Sequence, residues 1–140
     1  MGSNIKYKEL IYKGEIYTEK YQIEEILVKE NLSWFINSET SNAKIEISDS
    51  TLIFNGGTWY TGVWYFGAWR SGEWKFGSWE DGVWFNGNWQ DGIFKNGIIF
   101  NGTFFQGQFL NAKLRKMNQD GSETRQDFIN CDISPNVKKV

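Results

Sequence analysis

A strict five-residue repeat occupies the middle of this chain. Glycine stands at every fifth position from 57 to 107, and a large apolar residue follows two positions after each glycine. The apolar residues are Trp59, Trp64, Trp69, Trp74, Trp79, Trp84, Trp89, Phe94, Ile99, Phe104 and Phe109. A period of five residues fits neither the 3.6-residue period of a helix nor the two-residue period of a strand. The chain must therefore turn once per repeat to keep these side chains together.

The whole chain, residues 1–140, is predicted to be one all-β domain in three segments. Residues 1–54 form a β-rich N-terminal segment, 55–111 hold the repeats, and 112–140 form a C-terminal cap or tail. In the first segment, the alternation in NIKYKELIYKGEIY predicts strands that turn at Gly14. The stretch TEKYQIEEILVKENL is compatible with a short helix over about 19–31.

The architecture that we predict is a shallow, closed, antiparallel meander barrel of very short strands. Each repeat would supply a three-residue strand and a two-residue turn, and Asn-Gly and Asp-Gly pairs favour such turns. Trp59 would then face Trp64 across neighbouring strands, with all of the large apolar side chains on the inner face. A barrel that is closed from many strands has a wide interior, and indole side chains would fill this interior better than leucine side chains.

A four-sided β-helix with twenty residues per coil is the alternative. Each repeat would then form one side of a square, and each side would be about 10 Å long. Indoles that oppose one another across such a square would overfill it, and overpacking a core is destabilising. The square coil therefore ranks second.

Two families share parts of this pattern. The Gly-x-Trp repeat resembles that of the repeat proteins called β-flowers, and this resemblance implies a shallow barrel of hairpins with inward hydrophobic residues. Four stretches are similar to the pentapeptide-repeat family, which implies a four-sided right-handed β-helix. They are Gly-Val-Trp at 62–64, Ala-Lys-Ile at 43–45, Ala-Lys-Leu at 112–114 and Cys-Asp-Ile at 131–133. The chain departs from that family by using Trp for Leu and Gly for Ala at nearly every repeat.

The residues before the glycines provide the candidate binding positions. In a meander these residues alternate between the two ends of the barrel, so Phe66 and Phe76 would share one rim. Phenylalanine is unsuited to the positive φ that turn residues often adopt, and both residues break the polar character of the turns. Either the N-terminal segment or the tail packs over this rim, or the two rings contact a ligand or a partner. Asp81, Asp91 and Asn101 would share the other rim, where we interpret them as solvated turn residues rather than calcium ligands.

Composition excludes several classes of function. The chain has no histidine and a single cysteine, and it carries no phosphate-binding loop or zinc-ligand spacing, so we predict no catalytic residues, no metal and no cofactor. A net charge of −2 gives no electrostatic reason to expect nucleic-acid binding. No apolar run suits a membrane span or a signal peptide, which predicts a cytoplasmic or virion-associated protein.

The functional prediction is a non-enzymatic structural or protein-interaction module. It would suit an accessory part of a larger assembly such as a virion. The alternative is a ligand-binding protein that uses aromatic faces at the barrel mouth to hold a glycan, a nucleobase or a lipid.

Overall fold

The computed structural model describes residues 5–133 and the backbone of 138–139. Residues 1–4 of the N-terminal segment, and 134–137 and 140 of the predicted cap, lie outside the described residues. The elements are β1 (Tyr7–Tyr12), β2 (Glu15–Tyr17), α1 (Lys20–Lys29), a 3₁₀ helix (Ser33–Phe35), β3 (Glu39–Ser48), β4 (Thr51–Thr61), β5 (Val63–Trp64), β6 (Ala68–Trp69), β7 (Glu73–Trp74), β8 (Ser78–Trp79), β9 (Val83–Trp84), β10 (Asn88–Trp89), β11 (Ile93–Phe94), β12 (Gly97–Ile99), β13 (Thr103–Phe104), β14 (Gly107–Met117), β15 (Glu123–Ile133) and β16 (Lys138–Lys139).

The repeats form a β-solenoid of about four turns, so the all-β prediction is confirmed and the closed barrel is wrong. The short strands pair in parallel with partners 15 residues away, as Trp59 does with Trp74 and Trp64 with Trp79. Three repeats therefore make one coil. The antiparallel meander is wrong in strand direction, and the four-sided alternative is correct in winding the chain into stacked coils but wrong in its twenty-residue period.

Each coil has three sides, which we call A, B and C. Side A consists of residues 58–59 of β4 with β7, β10 and β13. Side B consists of β5, β8, β11 and the start of β14. Side C consists of residues 53–54 of β4 with β6, β9, β12 and residues 112–114 of β14. The corners are named by the sides that they join, in chain order: A/B, B/C and C/A.

The inward side chains form three columns along the solenoid axis. All eleven apolar repeat residues from Trp59 to Phe109 are at most 2% exposed. On side A the ring of Trp74 is stacked between those of Trp59 and Trp89, with both centroid distances at 4.8 Å. Trp64 and Trp79 stack in the same way on side B, 5.3 Å apart. The aromatic rings of one coil therefore stack on those of the coil before it, until Ile99 replaces the ring on side C and Phe104 lies tilted at 36° to Trp89 on side A.

Within a coil, the three rings meet edge to face. Trp59 and Trp64 lie 6.0 Å apart at 71°, and Trp64 and Trp69 lie 5.8 Å apart at 76°. A triangular coil has no pair of opposite sides, so no two indoles meet end to end across the core. Aromatic pairs favour this geometry because the positive edge of one ring meets the negative face of the next. This arrangement lets a narrow coil hold three tryptophans, and it is why the overpacking argument from the sequence was wrong.

Backbone hydrogen bonds fix each coil to the previous one. Within side B, Ser78 N donates to Gly62 O at 3.0 Å and Glu80 N donates to Trp64 O at 2.8 Å. The same pair of bonds recurs along the repeats, which gives each two-residue strand a defined register. The short strands are thereby part of three continuous sheets.

Four of the seven repeat tryptophans donate their indole N–H to a carbonyl in the next coil. Trp74 Nε1 donates to the Asp91 carbonyl at 3.1 Å, and Trp59, Trp79 and Trp89 make the equivalent bond to the carbonyl 17 residues later. Trp64, Trp69 and Trp84 have buried Nε1 atoms with no acceptor among the described residues.

The N-terminal segment covers the first coil. The stretch compatible with a helix forms α1, which buries Ile23 and Leu27. The 3₁₀ helix then inserts Phe35, whose ring lies 5.8 Å from Trp59 and 6.5 Å from Trp64. The aromatic core is therefore closed at this end.

The other end is covered by a hairpin. β15 pairs antiparallel with β14, and its Phe128 lies 6.4 Å from Phe109 at the last coil. The backbone of β16 pairs antiparallel with β13, at the end of side A. Both ends of the core thus carry non-repeat elements, as solenoids need for solubility.

The 15-residue period predicts which surface positions can be crosslinked. In a Cys131→Ser background, Glu73→Cys with Asn88→Cys should form a disulfide under mild oxidation. These two residues are register partners on side A, and neighbouring strands lie about 4.8 Å apart, within disulfide reach. The control pair, Glu73→Cys with Ile93→Cys, has the twenty-residue spacing of a square coil and should stay reduced. Preferential oxidation of the control pair would contradict the three-sided coil.

The indole hydrogen bonds predict unequal costs for one substitution made at two sites. Trp74→Phe removes a bond and leaves the Asp91 carbonyl without its donor, whereas Trp84→Phe removes an N–H that is already unpaired. Trp84→Phe should therefore lower the free energy of unfolding by about 1–3 kcal/mol less than Trp74→Phe does. Urea denaturation of both variants measures the difference. Equal losses would mean that the Trp74 bond does not stabilise the fold.

Candidate functional site

The aromatic core is not accessible to a ligand. The seven tryptophans of the repeats are fully buried, and Phe35 and Phe128 lie over its two ends. The barrel mouth predicted to present aromatic faces does not exist in a solenoid. A binding site must therefore use the outward side chains, which are the residues on either side of each inward one and those before each glycine.

Outward side chains on sides A and B form ion pairs and hydrogen bonds between coils, and each side has one exposed tyrosine in the first coil, Tyr60 or Tyr65. On side A, Glu73 contacts Lys75 Nζ at 3.2 Å and accepts a hydrogen bond from Gln90 at 2.9 Å. On side B, Lys95 Nζ lies 3.0 Å from Glu80 in the neighbouring coil. These contacts give the two sides the character of ordinary solvated surface.

The centre of side C is apolar. Phe85 and Phe100 stack on each other with their centroids 5.2 Å apart, and they remain 42% and 38% exposed. Val83 and Ile98 form the parallel column beside them. We call these four residues the side-C cluster. Side C thus differs from the other two sides in presenting exposed aromatic rings to solvent at its centre.

Charged residues border the side-C cluster. Arg70, one coil before Phe85, contacts Asn55 at 3.4 Å and Glu46 at 3.7 Å. Arg115, one coil after Phe100, contacts Asp127 at 3.1 Å. The surface is therefore an apolar centre with a polar rim.

Phe66 and Phe76 are both exposed, at 56% and 55%, but they do not share a rim. They are ten residues apart in a fifteen-residue coil, which places Phe66 at corner B/C and Phe76 at corner A/B. The predicted shared rim is wrong for this reason, and their exposure shows that neither the N-terminal segment nor the cap buries them.

Three turn residues with side-chain oxygen atoms are separated in the same way. Asp81 lies at corner B/C, Asp91 at corner A/B and Asn101 at corner C/A. Among the described residues, no group of three or more acidic or cysteine side chains could hold a metal ion.

At corner B/C the glycines leave a furrow that runs along the solenoid. Gly82 has φ +127°, and a Cβ atom there would lie 2.2 Å from the Gly67 carbonyl oxygen of the previous coil. The corner itself therefore carries no side chain, and the residues before and after each glycine form two walls. At corner B/C the furrow encloses about 300 Å³ and is lined by Phe66, Asp81, Gly82, Val83, Asn96, Gly97, Ile98 and Lys113.

A larger cleft of about 520 Å³ lies between two turns of the N-terminal segment. Lys13, Glu30 and Asp49 are among its lining residues. The hydroxyl of Tyr12 donates a hydrogen bond to Glu30, which lowers the pKa of the Glu30 carboxyl. The cleft is open and its charged groups are of both signs, so it is ordinary solvated surface.

The sequence matches no protein-family model, no curated protein and no solved structure. The resemblances to β-flower and pentapeptide-repeat proteins therefore stay predictions that rest on the repeat. No helix in the described part of the chain has the length and apolar character needed to cross a membrane.

Sequence reasoning missed the side-C cluster. Its members lie 15 residues apart in pairs, Val83 with Ile98 and Phe85 with Phe100, and this signal is visible in the sequence once the coil length is known. A five-residue period alone does not show which outward residues become neighbours.

The corner geometry predicts unequal effects of adding one methyl group at two glycines. Gly14 has φ +78°, and a Cβ atom added there would have no neighbouring atom within 4 Å, whereas Gly82 combines positive φ with the contact to Gly67. Gly14→Ala should cost about 1–2 kcal/mol of unfolding free energy from backbone strain alone. Gly82→Ala should cost about 3 kcal/mol or more, since overpacking adds to the strain. Similar values in urea denaturation would show that the coils can separate to admit the methyl group.

Proposed function

We propose that this protein is a non-enzymatic protein-interaction module that contacts its partner through side C. The observation that carries this proposal is the side-C cluster: two exposed phenylalanines stacked on each other, an arrangement that the described residues of sides A and B do not repeat. Exposed apolar clusters with a polar rim are typical of sites where proteins bind each other.

The residue types favour a protein partner. Aromatic side chains and arginine are enriched in interfaces, and aromatic residues near the centre of an interface supply a large share of the binding free energy. Phe85 and Phe100 occupy such a central position, with Arg70 and Arg115 at the border. Both arginines are already paired with acidic residues, so the apolar centre, more than net charge, would provide the affinity.

The solenoid supports this role by holding the cluster rigidly. Trp84 separates Val83 from Phe85 in the sequence, and its side chain points inward and is fully buried. The backbone on both sides of it is bonded to neighbouring coils, since Phe85 N donates to Trp69 O and Phe100 N donates to Trp84 O. A rigid surface loses little conformational entropy on binding. A module of this kind suits an accessory part of a larger assembly such as a virion, in keeping with the cytoplasmic or virion-associated expectation.

A ligand-binding function is the second candidate. The furrow at corner B/C favours it, because that furrow combines apolar and hydrogen-bonding walls. Walls of these two kinds suit a small ligand that has both an apolar face and hydroxyl groups.

Paired truncation tests the protein-interaction function. Phe85→Ala/Phe100→Ala should weaken partner binding by about thirtyfold or more, since truncating interface hot spots costs about 2 kcal/mol or more. The measurement is quantitative affinity purification from the source cells with wild-type and variant bait, followed by titration of the captured partner. Thermal unfolding should change little, because both rings face solvent.

The matched control is Tyr60→Ala. Tyr60 is an aromatic residue on side A with 42% exposure, the same as Phe85. It should leave the captured proteins and their affinity unchanged. If the double variant captures the same proteins with the same affinity as the control, side C is not the contact surface.

A further inference from the structure

The furrow at corner B/C has two chemically unlike walls. Gly82 and Gly97 form its floor. Asp81 and Asn96 form a polar wall on one side, and Val83 and Ile98 form an apolar wall on the other. The furrow runs along the solenoid axis from Phe66 to Lys113, which favours a narrow ligand that has a polar and an apolar surface.

Hydrogen bonds hold the polar wall in place and leave one oxygen atom open. Asn96 Nδ2 donates to Asp81 Oδ1 at 3.0 Å, and Asn111 Nδ2 donates to Asn96 Oδ1 at 2.7 Å. Gly82 N also donates to Asp81 Oδ1, at 2.8 Å. Asp81 Oδ1 thus has two donors, whereas no described residue donates to Oδ2. Oδ2 is the acceptor that the furrow offers to a ligand hydroxyl.

Corner A/B has no carboxylate oxygen left without a donor, although its sequence is similar. Asp91 Oδ1 accepts from Gly92 N at 2.8 Å, and its Oδ2 accepts from Gln106 Nε2 at 2.9 Å. Both carboxylate oxygens are therefore occupied. Phe76 precedes Asp91 in this corner column as Phe66 precedes Asp81, so corner A/B is an internal comparison for corner B/C.

The ends of the furrow define its length and charge. Phe66 stands at the N-terminal end, 56% exposed, with its ring available for stacking. Lys113 lines the other end and forms no ion pair with a described residue. With one carboxylate and one ammonium group, the furrow is close to neutral. This balance favours a neutral ligand over a polyanion such as nucleic acid, whose affinity depends on neutralising phosphates.

The coil spacing selects among neutral linear ligands. Two successive coils each add one polar and one apolar side chain to the walls, about 4.8 Å apart: Asp81 with Val83, and Asn96 with Ile98. An extended peptide advances by only about 3.3 Å per residue and would lose register with the walls. A lipid chain has no group for Asp81 and Asn96. A pyranose unit of an extended glycan advances by a length comparable to the coil spacing, and it has a C–H face and a hydroxyl edge.

From these features we infer that the furrow at corner B/C binds a neutral, extended, β-1,4-linked oligosaccharide. One sugar ring stacks on Phe66, and the next units lie along Val83 and Ile98. A hydroxyl donates to Asp81 Oδ2. Val83 and Ile98 belong both to this furrow and to the side-C cluster. The inference nevertheless does not rest on the protein contact, because its stacking ring and its hydrogen-bond acceptor, Phe66 and Asp81, lie in the corner column outside the cluster.

Titration with defined oligosaccharides tests binding directly. Cellohexaose and chitohexaose are added separately to the ¹⁵N-labelled full-length protein, and NMR spectra follow the Gly82 and Gly97 amides and the Asn96 side-chain amide. We expect saturable shifts confined to corner B/C for at least one of them, with a dissociation constant in the millimolar range or tighter. The absence of shifts with both at millimolar concentrations would overturn the inference, as would shifts centred on another surface.

Two variants test the residues. Asp81→Asn keeps an acceptor oxygen for Gly82 and Asn96 but replaces the open acceptor with a donor, and Phe66→Ala removes the stacking ring. Each should weaken oligosaccharide binding by about tenfold or more. The matched control is Phe76→Ala, because Phe76 has the same exposure at the corner whose carboxylate is occupied. Equal weakening by the control, or none by the two furrow variants, would overturn the assignment.

The furrow variants also distinguish the two proposals. The amide spectra and thermal unfolding of Asp81→Asn should match those of the wild type, which keeps the result interpretable. Loss of oligosaccharide binding with full retention of the protein partner is expected if both proposals hold. If Phe85→Ala/Phe100→Ala loses partner capture but keeps oligosaccharide binding, the loss of capture comes from side C and not from the furrow.

Discussion

The stacking of indole rings from one coil to the next is the interaction on which this fold depends. Two-residue strands make too few hydrogen bonds to define a sheet alone, so the coils need a second interaction that repeats at the same spacing. Face-to-face contacts at 4.8–5.3 Å between tryptophans of successive coils supply this second interaction. Edge-to-face contacts within the coil then join the three columns into one core. Burial of such large rings contributes more apolar area than the strands could offer otherwise.

Glycine and tryptophan are coupled in this arrangement. For the rings to stack, successive coils must approach within β-sheet spacing at the corners as well as on the sides. The corner glycines allow this approach, since a Cβ atom at Gly77 or Gly92 would lie 2.4 or 2.2 Å from the carbonyl oxygen of the glycine below. The same absence of side chains leaves room for the furrow at corner B/C. Core packing and surface shape therefore have one common cause in the repeat.

The sequence was informative about the inside of the molecule and less so about the outside. The Gly-x-Trp repeat identified each inward residue from Trp59 to Phe109, because alternation around a turn fixes which side chains share a face. It did not fix the number of sides, since a five-residue turn-and-strand unit is compatible with three sides, four sides or a meander. The choice depends on how indoles pack against each other. Because the sequence analysis favoured the barrel, it also predicted the wrong neighbours for Phe66 and Phe76, since the coil length determines which outward residues are adjacent.

The 15-residue register has a consequence for how such a protein can change during evolution. The residues that share an outer column, such as Val83 and Ile98, are encoded 45 nucleotides apart and are interrupted by residues of the other two sides. Point substitutions can thus alter one outer side while the inward residues and the other sides stay the same. Duplication of one coil would lengthen all three sides and the furrow at corner B/C by one unit at once. Specificity and length can therefore vary independently in a chain of this design.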